Sequence, residues 1–138
     1  MIDGRALRAT VPRSTHAAWE APSGRDPVEA MRAVFATLIH DLVPLRIARM
    51  RASPFAFLRG SAAIMASDLA TLPRTGIMTQ LSGDAHVANF GGFASPERRL
   101  VFDVNDFDET ARGPWEWDLK RLAASLVLGR HLLSLVYM

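Results

Sequence analysis

A chain of 138 residues with 49% hydrophobic and 22% charged residues can form one folded core and is too apolar for general disorder. Its formal charge is only +2, lysine occurs once, at Lys120, and there is no uninterrupted basic run, which excludes the profile of a dedicated nucleic-acid binder. The lack of cysteine excludes a disulfide framework and a thiolate metal site, and with no apolar leader and no run of about 18 apolar residues the expected setting is cytoplasmic, away from membranes.

Residues 1–26 mix Arg, Ser, Thr, Pro and Gly without a sustained period and are expected to form a flexible or loosely packed arm. Asp26-Pro27 opens a helix, since the carboxylate accepts orphan N–H bonds and proline suits the first turn. Val28, Met31, Val34, Phe35, Leu38, Ile39 and Leu42 continue it as one apolar stripe until Pro44 interrupts. Leu45–Met50 adds a short helical piece, and the alanine-rich segment after Ser53-Pro54 predicts a helix near residues 56–70. After the turn at Leu72–Gly76, the β-prone IMTQLS predicts a strand that delivers Asp84 to a loop. Phe90–Phe93 and Arg99–Val104 flank Ala94-Ser95-Pro96-Glu97 as a hairpin, with Asp106 just beyond it. Pro114 then opens a final helix with Trp115, Leu119, Leu122, Leu126, Leu133 and Val136 along one face. Residues 27–138 read as one α+β domain, or part of one.

The strand–loop–hairpin order brings Asp84, Asn89 and Asp106 into one region, and these residue types suit phosphoryl transfer. That reaction needs a carboxylate to orient the nucleophile and oxygen ligands to hold magnesium against phosphates. Other readings of the same residues stand beside this one. Asp84 and Asn89 also suit an Asx-rich turn, and Asp84 with His86 could form an Asp-x-His metal pair in a metal-dependent hydrolase. His16, His40 and His131 have no ligand spacing and read as core or surface residues. The cluster Asp103, Asp106, Asp108 and Glu109 requires a cation or an arginine, with Arg59 and Arg121 as candidates. Trp115 and Trp117 read as packing anchors, and Gly91-Gly92 as a structural bend.

GDAHVAN resembles the GDxHxxN catalytic loop of aminoglycoside and choline phosphotransferases in the protein-kinase-like superfamily, and DFDE resembles their metal-binding aspartate. SPFAFLRG, GDAHVANFGGF, LVFDVNDFDET and GPWEWDLKRLAASL together resemble the bacterial family called domain of unknown function 2252, over about residues 40–130. The resemblance implies a partial kinase-like C-terminal lobe, with helices packed on short hairpin strands around a catalytic loop. In it Asp84 is the catalytic base, Asn89 and Asp106 are magnesium ligands, and Asp103 is the rival of Asp106. His86 is the structural loop histidine, and Asp118 braces the loop from the following helix. Ser82 stands where those kinases usually carry histidine. The implied cofactors of the intact protein are Mg2+ and ATP, and the implied substrate is a small molecule or another hydroxyl compound. The chain has no G-x-G-x-x-G loop and its only lysine lies in the last helix. The expectation is therefore a fragment, inactive alone, that lacks a downstream nucleotide-binding segment. A non-catalytic remnant or interaction module is the alternative from a different class.

Overall fold

The computed structural model describes residues 3–136, with side chains described through Arg130. Helix α1 (Gly4–Thr10) is capped by the Asp3 carboxylate, so the expected irregular arm contains a short helix, although that helix buries none of its residues. Helix α2 (Pro27–Ala36) begins where the sequence places it, with the Asp26 carboxylate accepting from the N–H groups of Val28 and Glu29. It ends at Thr37 and does not continue to Pro44. A proline ring inside a helix would strike the carbonyl four residues earlier, so the chain breaks at Ile39, makes a single 3-10 turn at His40–Leu42, and uses Pro44 in the first turn of α3 (Val43–Met50). The far half of the expected apolar stripe consequently faces outward, with Ile39 71% and Leu42 53% exposed.

The helix expected near residues 56–70 is two helices, α4 (Pro54–Gly60) and α5 (Ala62–Leu69), separated at Ser61. The split sits where α3 and α4 cross: a side chain at Gly60 would overlap Met50, so glycine alone permits the approach. Met31, Met50 and Ile64, with Ala30 and Phe35 against them, form the core between α2, α3 and α5.

Strand β1 (Met78–Leu81) pairs antiparallel with β4 (Ala111–Pro114), while β2 (Phe90–Ala94) and β3 (Leu100–Val104) form the expected hairpin as a separate two-stranded sheet. Pro114 therefore closes a strand, and α6 (Glu116–Val136) starts after it; of its expected apolar face, Leu119 and Leu126 are 51% and 46% exposed, while the side chains of Leu133 and Val136, like that of His131, lie outside the described residues. Trp115, expected in the core, is 37% exposed and donates its indole N–H to the Thr75 hydroxyl at 3.0 Å. The outcome is a mixed α+β architecture of six helices and two small antiparallel sheets among the described residues. No described helix is long and apolar enough to cross a membrane.

Candidate functional site

The loop after β1 is shaped by Gly83. Its φ of 82° is the left-handed conformation, and a Cβ there would fall on the Glu109 carbonyl. Only glycine can sit there, and the following residue, Asp84, turns toward α6.

Three polar residues of α6 meet this loop in register. The Asp118 carboxylate accepts from the backbone N–H groups of Ser82, at 2.7 Å, and Gly83, at 3.1 Å. Arg121, 2% exposed, donates from Nε to Asp84 Oδ1 at 2.7 Å and from Nη2 to the same oxygen, while Nη2 also reaches the Leu58 carbonyl at 2.7 Å. Ser125, fully buried, accepts from the Val87 N–H at 2.9 Å and donates to the Leu122 carbonyl. Spacings of three and four put these residues on one face of α6, so the helix acts as a template for the loop. Arg121 thus compensates Asp84 and not the downstream acidic cluster with which the sequence suggested pairing it.

Burial by itself would raise the Asp84 pKa, but the hydrogen bond from His86 and the charge of Arg121 outweigh it, and the carboxyl is held below the ordinary aspartate value. His86 is 1% exposed, lies edge-on to Phe55, and brings Nε2 to 3.3 Å from Asp84 Oδ2. The Arg59 Nε–H also points at His86 Nε2, at 3.3 Å. One ring nitrogen cannot donate to a carboxylate and accept from a guanidinium at once. The charge-assisted bond to the buried carboxylate is the stronger, so Nε2 carries its proton toward Asp84 and Arg59 is left without a committed acceptor.

Asn89, 6% exposed, donates from Nδ2 to the Asp84 carbonyl at 3.0 Å. Because a carbonyl only accepts, this bond fixes the amide orientation and leaves Oδ1 as the end not used by the loop. The Asn105 N–H donates to the Asn89 carbonyl at 2.9 Å, extending the β2–β3 ladder by one step, with Asp106 as the next residue. Two hydrogen bonds therefore link Asp84, Asn89 and Asn105, the residue before Asp106. Asp106 is exposed and, among the described residues, accepts only a long bond from the Asp108 N–H, at 3.3 Å. Its rival Asp103 turns its carboxylate to the neighbouring Val104 N–H, at 2.8 Å. Asp84, His86 and Asp106 share the lining of a cleft of about 570 Å3, whereas Asn89 and Asp103 are not part of that lining. Among the described residues no three His, Asp or Glu side chains cluster as a metal-ligand set.

The model of a family described as an uncharacterized protein conserved in bacteria (DUF2252) matches residues 38–132. The chain belongs to the DUF2252 family. No curated protein and no solved structure matches it. The matched span of this DUF2252 chain runs from just after α2 through most of α6 and contains each residue of the loop–helix contact. Sequence reasoning named Arg121 only as a candidate partner for other acids and did not single out Ser125. The signal was present as polar residues 118, 121 and 125 recurring at helical spacing among leucines and alanines.

Proposed function

We propose that this DUF2252 chain carries the acid-and-metal part of a magnesium- and ATP-dependent phosphotransferase acting on a hydroxyl compound, in a partial kinase-like lobe. The observation that carries the reading is that Asp84 and Asp106 line one cleft, while Asn89 is hydrogen-bonded both to the Asp84 carbonyl and to the N–H of Asn105, the residue before Asp106. The donor set fits magnesium chemically: an exposed carboxylate at Asp106, the free Oδ1 of Asn89 and, nearby, the Asp84 carboxylate are all hard oxygen ligands. Bound magnesium would supply neutralisation of phosphate charge. The rest falls to the chain. Asp84, kept anionic by Arg121 and His86, is a weak base but a permanent acceptor for the substrate hydroxyl. A loose phosphoryl-transfer transition state asks for this positioning more than for strong proton abstraction. His86 positions Asp84, and Asp118 holds the peptide units before it.

Manganese titration of the 15N-labelled chain tests the ligand assignment. The Asn89 side-chain amide and the Asp106 backbone amide should broaden first, and broadening centred elsewhere ends the reading. In the intact protein, Asp84→Asn should reduce transfer of the ATP γ-phosphate by about 100-fold or more, and undiminished transfer would exclude Asp84 from the chemistry.

A second reading, an interaction module without catalysis, is favoured by the exposed apolar hairpin, where Leu100 is 86%, Phe102 74% and Phe93 41% exposed. It predicts that no metal or phosphate dependence accompanies binding at the hairpin. The hydrolase reading has less support, since His86 is enclosed and its Nε2 faces Asp84 and the cation of Arg59.

A further inference from the structure

The cleft that contains Asp84 and Asp106 has a second wall, contributed by α3 and α4, that carries Arg46, Arg49 and Arg59. None of these three makes an ion pair among the described residues, although Asp106, Asp108 and Glu109 line the same cleft. The three guanidinium groups therefore do not neutralise these carboxylates directly. Arg46 has one long contact, Nη2 to the Gly60 carbonyl at 3.4 Å, and its Nε is buried without a partner. Among the described residues the Arg59 side chain hydrogen-bonds only to the shared nitrogen of His86, and the Arg49 side chain makes no hydrogen bond to protein. Guanidinium groups do not deprotonate, and each presents five donors in a planar fork suited to phosphate. Three such forks lining one open cleft, together with exposed carboxylates, make a receptor for an anion that brings its own cation.

We propose that Arg46, Arg49 and Arg59 form the phosphate-binding wall of this cleft and hold the polyphosphate chain of the phosphoryl donor opposite Asp106. The ligand's identity as donor rests on the phosphotransferase reading, while the anion site itself does not. This gives the chain a means of gripping a triphosphate without a glycine-rich loop or a lysine, through side chains that precede the catalytic loop in sequence. It also gives the FLRG segment a purpose: Arg59 reaches the cleft while Gly60 lets α4 close on Met50.

Calorimetric titration of the 138-residue chain with inorganic tripolyphosphate and magnesium, at fixed ionic strength, provides the test. Saturable one-site binding is expected, weakened about tenfold by Arg49→Gln and by Arg59→Gln, the loss of one charge-assisted bidentate contact each. Arg49→Lys, which keeps the charge and loses the fork, should recover only part of the affinity. Arg98→Gln, on the hairpin turn and outside the cleft, should leave binding unchanged. Thermal melts should show both cleft variants folded, since neither arginine anchors the fold. Absence of saturable binding, or equal weakening by Arg98→Gln, overturns the proposal. Tighter binding of orthophosphate than of tripolyphosphate also overturns it, because the wall would then fit a phosphorylated acceptor and not the donor. Arginine-dependent tripolyphosphate binding that survives in Asp84→Asn supports the site, and if the intact protein then transfers no phosphate, only the phosphotransferase reading falls.

Discussion

Asp84 and Arg121 are held in a pair that neither could leave without loss. The arginine is 2% exposed and the Asp84 side chain 18%, so removing either partner strands a largely desolvated charge. Arg121→Met should destabilise the chain by about 3 kcal/mol in urea unfolding, and a loss below about 1 kcal/mol would show the pair to be solvated. The pH dependence follows from the depressed Asp84 carboxyl. A carboxyl that binds its proton less tightly in the folded than in the unfolded chain contributes stability above the unfolded value, near 3.8, and that stability is lost as the pH falls through the lower folded value. Acid titration of the unfolding free energy should therefore show a drop beginning below about pH 4 that is flattened in Asp84→Asn. Gly83→Ala should cost at least about 1–2 kcal/mol from the left-handed backbone alone, with the collision at Glu109 adding to it. Chemical denaturation measures the sum.

At the scale of elements, α6 determines the shape of the loop. Its residues 118, 121 and 125 satisfy backbone groups of Ser82, Gly83 and Val87 and the side chain of Asp84, all within one short segment. Ser125→Ala leaves the Val87 N–H without its acceptor and should cost about 1–3 kcal/mol, with faster amide exchange at Val87 than at residues in mid-helix. The hairpin offers the opposite sign. Its turn runs Ser95-Pro96-Glu97-Arg98, closed by the Arg98 N–H to the Ser95 carbonyl, and Arg98 adopts φ of 58°. A β-carbon is unfavourable there and the side chain is exposed, so Arg98→Gly should raise stability by about 1 kcal/mol, read as a shift in the denaturation midpoint. The hairpin was legible because proline and its neighbours mark the turn locally. The continuous first helix was not, because its period persists to Leu42 while the chain breaks at Ile39 to place Pro44 in a first turn.

Across the whole molecule, among the described residues, large apolar side chains remain exposed at the α2–α3 connection, on the hairpin and on the outer face of α6, among other places. Leu100→Ser, at a position 86% exposed, should change stability by less than about 0.5 kcal/mol while reducing self-association in sedimentation at high protein concentration. A larger destabilisation would show the hairpin packed against the body. Local chemistry in the sequence determined much: the Asp26 cap, the strand into Gly83-Asp84, the hairpin and the α+β class all follow from neighbours a few residues apart. Asp118 beside the Gly-Asp pair was also legible, from a motif. The tertiary structure decided what depends on distance through space. It brought Arg121 to Asp84 across 37 positions of sequence, set Asp106 and not Asp103 at the cleft, and placed Arg46, Arg49 and Arg59 on the lining of that same cleft. Charge pairing depends on which groups share a desolvated volume, and no local period encodes that.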